Sequence, residues 1–521
     1  MSDEMSIARV AQRAHHAMAL TGFHQTPMTP LTPHLPPADF NPHEASLMVL
    51  ADAMRAGRTS AQGLVTAYLS RIAAFDKAGP CINAISTVSA AALHEAQALD
   101  DELRTMGPRS VLHGIPMVVK DNIDIVGMPT TAGCAALRMV YPRTDAACVA
   151  RLRAAGAIVL AKANMSELAA SNGRFGYSSA SGLTLNPYRH SRNASGSSSG
   201  TGAAVAASLA AFGLGTDSFG SVRGPACVHA LAGLRPTHGL LDSAGVLPLA
   251  ASFDTVGPLG RSAADVALVM DALAPHQGFA AQHASLAGRR LGIVSDFAGG
   301  NDEIDALFDM ATVDMRAAGA EIIPVRLPPF ARTLYADLLG EITRVEWVRG
   351  LDEYLAQTVG GTPRSAAELL EHLEAGREVS GRETNPLTLA ALRHSIETRD
   401  QPPQADIAVA RGLREMIANL FLAERLDALV FPTLVCPASP RYDMPDPSYY
   451  CRASEPLAPM HIASAAGVPE VSVPMGFTAA GVPAGVSWLG QAGDDAALLS
   501  MASAFEQQTR HRRAPPSTPA L

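Results

Sequence analysis

The sequence predicts an α/β protein: a single large domain with a central mixed β-sheet covered by helices on both faces. Three observations predict it. Strand patterns and helix patterns alternate from about residue 45 to residue 325, which is the signature of an α/β architecture. Strand patterns return at the far end, so both halves of the chain close the same sheet and independent domains are disfavoured. And 48% of the 521 residues are hydrophobic against 17% charged, ample material for one extended core.

The elements follow in order. Residues 1–43 read as an N-terminal extension. A short helix is expected at 4–20, running into TPMTPLTPHLPP, whose prolines exclude a helix and favour an extended, partly mobile path. ASLMVLADAMRAG and SAQGLVTAYLSRIAAF, from Ala45 and Ser60, carry helical periodicity, the second with Thr59 or Ser60 as N-cap. INAISTVS, from Ile82, reads as a strand and 89–105 as a helix. GIPMVVKD, from Gly114, reads as a buried strand, 146–155 as a helix, and AIVLAKAN, from Ala157, as a strand. A helix is expected at 202–211 and a strand at 210–217. RRLGIVSD near 290, a helix at 303–318 and EIIPVRLP repeat the theme. Residues 330–425 are mostly helical and more charged, an insertion or cap over the sheet. DALVFPT, EVSVPMG and AGVSWLG close the fold, with the domain body spanning 44–515 and no internal repeat.

Composition excludes several function classes. Forty basic against 49 acidic residues give a net charge of −9, without the clustered basic patch of a nucleic-acid binder. No run approaches the ~18–20 apolar residues of a membrane span, and the N-terminus lacks the pattern of a signal peptide. The six cysteines include no C-x-x-C pair; they read as reduced, mostly buried thiols in a cytoplasmic protein. His113, His229, His238 and His461 are isolated, read as packed or surface residues, and no spacing suggests a metal site.

The chemistry concentrates around NASGSSSGTGAAVAA, residues 193–207. A flexible linker is disfavoured because both flanks belong to one alternating pattern. A phosphate cradle needs a lysine after the glycines, which is missing. Ser198 fits G-x-S-x-G, but that elbow needs an apolar strand before it, and LNPYRHSRNAS is polar. A second glycine-flanked serine, Ser221, lies in GTDSFGSVRGPA after a strand. Upstream, Lys120 ends the apolar strand GIPMVVK, where a lysine is unusual unless paired. An ion pair with Asp121 or Asp124 is the alternative to a chemical role.

HGIPMVVKDNIDIVGMPTTAG, DAACVARLRAAGAIVLAKANMSELA, SRNASGSSSGTGAAVAASLAAFGLGTDSFGSVRGPA and GLRPTHGLLDSAGVLPLAASFDTVGPLGRS together resemble the amidase signature family. The resemblance runs from about residue 45 to 510 and is weakest through 330–425. It implies the amidase signature fold and a Ser–cis-Ser–Lys triad, with Lys120 on the family lysine, Ser197 on the bridging serine after a cis peptide, and Ser221 on the nucleophile. Small or glycine residues just before a nucleophile let backbone N–H groups crowd the carbonyl oxygen, so Ser218, Phe219 and Gly220, with Ser221 itself, are the expected oxyanion hole, and Ser198 is in support. Asp217 and Arg223 read either as a buried pair holding the loop or as a solvated surface pair; the resemblance favours support. Phe219 and Ser199 stand where glycine is common, so the Phe219 ring is expected near the substrate. The resemblance further implies hydrolysis of an amide or carbamate C–N bond without a cofactor. The rival reading is an ammonia-releasing subunit of an amidotransferase. A homodimer is a family-level expectation. Trp347, Tyr354, Tyr449 and Tyr450 are candidates for one wall of the substrate cleft.

Overall fold

Among the described residues of a computed structural model, eleven strands form one sheet that joins the two halves of the chain. The structure describes residues 40–361, 363–375 and 381–521; the helix expected at 4–20 lies outside them. In chain order the strands are β1 Ile85–Val88, β2 Pro116–Lys120, β3 Ile158–Ala163, β4 Phe212–Asp217, β5 Ala232–Arg235, β6 Thr255–Gly260, β7 Arg290–Val294, β8 Glu321–Val325, β9 Ala428–Pro432, β10 Glu470–Phe477 and β11 Pro483–Leu489. Their order across the sheet is β1-β3-β2-β4-β6-β5-β10-β11-β9-β7-β8. Pairs β2–β3, β2–β4, β7–β8 and β7–β9 are parallel and the others antiparallel, so the sheet is mixed, as expected.

Both faces are covered. Side chains alternate across a strand with period two, and in β9 Ala428 and Val430 enter one apolar cluster while Leu429 and Phe431 enter another. Central strands buried on two sides read as continuous apolar runs, and every residue of β2, β3, β4 and β9 is buried. Several helices begin where a side-chain oxygen meets their first free N–H groups. Ser60, rather than Thr59, caps Ala61–Arg71 by accepting from the Gly63 N–H at 3.0 Å. Asn301 caps Asp302–Ala317 in the same way.

One helix departs from expectation. That expected at 202–211 instead runs Ser199–Ala206. The serine cluster therefore leads into it, with Ser198 at the N-cap and Ser199 in the first turn, and Phe212 follows a short bend. The helix lies so close to β4 that a Cβ on Gly213 would come within 2.5 Å of Thr201 Cγ2 and one on Gly215 within 2.6 Å of Ser198 Oγ. Residues 330–425 are helical as expected, with helices Gly340–Gln357, Ala366–Ala375, Pro386–Glu397 and Ile407–Glu424.

The cysteines require a correction. Cys436 and Cys451 form a disulfide with Cα atoms 5.6 Å apart, while Cys81, Cys134, Cys148 and Cys227 are free. The intervening loop folds around Asp446, which accepts from Arg189 Nε at 2.8 Å and Ser191 Oγ at 2.6 Å and pairs with Arg192 at 3.0 Å. That fold-back brings together two residues 15 apart, a spacing with no local signature.

Candidate active site

Strand β2 carries an apolar run into the middle of the sheet and ends on Lys120, which is fully buried. Its Nζ donates to Ser197 Oγ at 2.7 Å and to Thr216 Oγ1 at 2.6 Å. Neither aspartate of the alternative reading pairs with it. Asp121 is 3.2 Å from Lys162, and Asp124 accepts from Thr130 and Tyr354. With no salt-bridge partner among the described residues, burial dominates and brings the Lys120 ammonium down to about 7, against the opposing pull of Asp254 and Asp217. Desolvation disfavours the charged form of an amine, so near neutral pH this lysine is available as a proton acceptor.

The serine cluster crosses the end of β4. Ser197, Ser198 and Ser199 are buried, and the Gly196–Ser197 peptide is cis, as the resemblance implies. Ser198 N–H donates to the Ser221 carbonyl at 3.2 Å, so the two serine segments lie side by side. Ser198 Oγ donates to the Thr216 carbonyl at 3.3 Å; turned into the protein, it has no access to a substrate. Ser221 alone of these serines lines the open cavity. Lys120 and Ser197 are thus joined directly. Ser221 is joined to them through the backbone contact at Ser198, and its Oγ makes no hydrogen bond among the described residues.

The loop after β4 is built on a buried charge network. Asp217, Arg223, Arg235 and Glu470 are all fully buried. Asp217 accepts from Arg223 at 2.8 and 3.0 Å and from Arg235 at 3.1 Å, and Arg223 reaches Glu470 at 2.6 Å. Burial alone would raise the Asp217 carboxyl; the two guanidinium groups outweigh it and hold the group well below the usual carboxylate range. The surface-pair reading is therefore excluded. Arg235 on β5 and Glu470 on β10 escaped the sequence reading, since they meet Asp217 only through sheet order. Thr216 escaped it too, because its contact with Lys120 depends on the β2–β4 register.

Asp217 also changes the expected oxyanion set. Its carboxylate accepts the Gly220 N–H at 2.8 Å and the Val222 N–H at 3.0 Å, which removes Gly220 from the expected donors. Gly220 instead serves the turn, with φ of +105° and Met460 Sδ 2.5 Å from where a Cβ would stand. The N–H groups of Ser218 and Phe219, and that of Ser221, have no acceptor among the described residues. Replacing Asp217 by Asn should leave two buried guanidinium groups undercompensated. Breaking one side of such a network costs about 3–5 kcal/mol, so Asp217→Asn is expected to lower the urea midpoint sharply and to abolish activity with it.

The cavity in front of Ser221 measures about 410 Å³. Phe219 lines it, with its ring centroid 5.7 Å from Phe253 and 5.6 Å from Tyr335. Helices Gly340–Gln357 and Pro386–Glu397 close it from above through Trp347 and Ala391. The second helix is tied down at its start by buried Glu167, which accepts the Asn385 N–H at 2.9 Å. Of the four aromatic candidates only Trp347 lines the cavity. Tyr354 bonds Asp124, Tyr449 lies against Arg192, and Tyr450 sits by Asp302 and Arg452. His461, read as an isolated packed residue, packs on Tyr335 and also lines the cavity; burial holds its imidazole down to about 3, so it stays neutral. Among the described residues no cluster of His, Cys, Asp or Glu could hold a metal ion.

This arrangement matches known proteins over most of its length. A family model described as Amidase matches residues 63–499. A glutamyl-tRNA(Gln) amidotransferase subunit from Deinococcus radiodurans is 34% identical over 487 residues, covering 88% of this chain and 96% of its own. A mandelamide hydrolase from Pseudomonas putida is 33% identical over 474 residues, covering 89% and 91%. Among solved structures, the peptide amidase of Stenotrophomonas maltophilia superposes with a TM-score of 0.81 at 34% identity, covering 91% of this chain and 99% of that one.

Proposed function

The chain belongs to the amidase family, and on that footing we propose that it is a stand-alone serine hydrolase of amide C–N bonds, acting on small to medium apolar or aryl amides. The observation that carries the reading is a buried lysine, brought by burial to a pKa of about 7, hydrogen-bonded to Ser197 beside a cavity-facing Ser221. A serine hydroxyl is a weak nucleophile until a base takes its proton. In the proposed mechanism Ser221 Oγ attacks the amide carbonyl carbon as its proton moves to Ser197 Oγ. The Ser197 proton moves to Lys120 Nζ. When the C–N bond breaks, a proton returns along the same path to the leaving nitrogen, and water then cleaves the acyl-serine ester. The oxyanion is met by free N–H groups of Ser218, Phe219 and Ser221; each such donor contributes about 10²–10³ in rate.

The cavity supports the substrate class. Its walls at Phe219, Tyr335, Trp347 and Leu249 suit an aryl or alkyl group, and similar proteins carry the names mandelamide hydrolase and peptide amidase. Turnover of aliphatic amides, aryl anilides, peptide amides and carbamates, each blanked with Ser221→Ala, tests the reading. Hydrolysis of an anilide or small amide is expected. Activity confined to carbamates would move the enzyme to the urethanase reading on the same three residues.

A second reading rests on the relatives named as amidotransferase subunits: an ammonia-releasing subunit that needs partner chains. Gel filtration combined with a glutaminase assay separates the two. Homodimerisation remains a proposal for the same column. Among the described residues no helix is long and apolar enough to cross a membrane. The cytoplasmic placement is likewise a proposal, and the Cys436–Cys451 bond weighs against it, because disulfides persist in oxidising compartments.

A further inference from the structure

The charges around the cavity are unevenly paired. Arg344 is bound on all sides, donating to Thr398 O and Oγ1 at 2.9 Å and pairing with Glu341 at 3.2 Å. His461 is neutral. Glu455 also lines the cavity, and its carboxylate has no hydrogen bond or ion pair among the described residues. The backbone that presents it is fixed. Cys451, four residues before, is held by the disulfide to Cys436. Pro456 O accepts the Val435 N–H at 3.3 Å, and Glu455 O accepts the Ala458 N–H at 3.1 Å.

Next to this free carboxylate stand aromatic rings. Tyr335 packs edge-on against Phe219, lies 5.4 Å from the His461 ring and lines the same cavity as Glu455; burial foremost, with the Glu455 charge adding to it, raises the Tyr335 hydroxyl. Ring faces attract cations through their quadrupole. A negative charge without a partner and an aromatic wall thus act on a bound group in the same direction. Arg344, the one guanidinium lining the cavity among the described residues, is already committed and offers nothing to an anion.

We propose that Glu455 is a specificity-determining residue that, with the aromatic wall of Phe219 and Tyr335, selects amides carrying a protonated amine or guanidinium over neutral and anionic amides of the same length. The inference rests on the amide-hydrolase reading, so it is read on binding as well as on turnover. Three anilides of matched length serve as probes: those of 6-aminohexanoic acid, hexanoic acid and the monoanilide of adipic acid. Their affinities are measured by calorimetry on full-length Ser221→Ala, and their kcat/KM on the parent enzyme, at pH 8, above the range in which an ordinary histidine titrates.

The cationic anilide is expected to be favoured about five- to tenfold over the neutral one, the size of an exposed ion pair reinforced by a ring face, and the anionic one to be the weakest. Glu455→Gln should reduce the cation-to-neutral ratio at least threefold, and Glu455→Lys should invert the order of cation and anion. Raising salt from 20 to 300 mM should shrink the ratio, since an exposed charge is screened. A ratio near one in the parent protein, or a ratio unchanged by Glu455→Gln, overturns the proposal. Loss of turnover without loss of the binding ratio would instead indict the hydrolase reading, because binding is measured where no reaction occurs.

Discussion

Ser221→Ala is expected to lower amide turnover by about 10⁵-fold while leaving the fold intact. The size follows from serine hydrolases, where removing the nucleophile costs nearly as much as removing the whole catalytic set. The intact fold follows from the site. Ser221 Oγ faces the cavity and holds no hydrogen bond among the described residues, so its removal leaves no buried group unpaired, and such substitutions fall within about 0.5 kcal/mol. Neighbouring serines supply the contrast. Ser198 is buried with its hydroxyl on the Thr216 carbonyl, so Ser198→Ala should retain activity within about tenfold. Ser197→Ala removes the hydroxyl that joins Lys120 to the serine loop and should cost about 10³-fold or more. Steady-state kinetics on the three variants, with mass spectrometry of a fluorophosphonate adduct, checks the order. An adduct that persists in Ser221→Ala, or undiminished turnover, would place the nucleophile elsewhere.

The contrast between Lys120 and Lys162 shows how far the sequence reaches. Both end apolar strands, GIPMVVK and AIVLAK, and by pattern alone they are equivalent. Both are fully buried. What separates them is three-dimensional: Lys162 meets Asp121 at 3.2 Å and the Ile123 carbonyl at 2.6 Å, whereas Lys120 meets only hydroxyls and a carbonyl. Strands were legible because a two-sided sheet demands unbroken apolar runs, and helix starts were legible where a capping oxygen stands, as at Ser60, but not at Ser199, which has no side-chain cap. The serine segments were legible from motif order. Contacts set by sheet order were not: Arg235 and Glu470 around Asp217 and Thr216 beside Lys120 require the register of strands distant in sequence. Nor was the bond between Cys436 and Cys451, which requires the fold-back of their loop around Asp446. The capture of Gly220 by Asp217 likewise depends on how the loop turns, which a glycine-rich stretch leaves open. Cavity walls were the least legible, since an aromatic residue carries no mark of which way it faces; one of four candidates, Trp347, reached the cavity.

Lys120 should make activity and stability both rise with pH, the first through about 7 and the second between about 7 and 10.5. As the proposed base it must be neutral, so kcat/KM is expected to rise with pH through about 7 and then level off. The same burial carries a cost in folding. An amine that falls from 10.5 to about 7 disfavours the fold by roughly 5 kcal/mol at pH 6, at about 1.36 kcal/mol per unit. Between about pH 7 and 10.5 the unfolded chain holds a proton at this site that the folded chain has released. Stability contributed by this residue therefore rises with pH across that window, by about 4 kcal/mol from pH 6 to 10. Lys120→Met keeps the stem length and cannot be charged. It is expected to be inactive, and its stability should lack that increment. Two lost contacts, to Ser197 and Thr216, offset part of the gain at low pH by about 1–3 kcal/mol each, so the telling quantity is the slope rather than the absolute value. Melting temperatures of both proteins at pH 6, 8 and 9.5 measure it: the wild type should gain on Lys120→Met at each step. A gap that stays constant across this range would mean that the lysine keeps its proton in the fold, and a lysine that keeps its proton cannot arm Ser197.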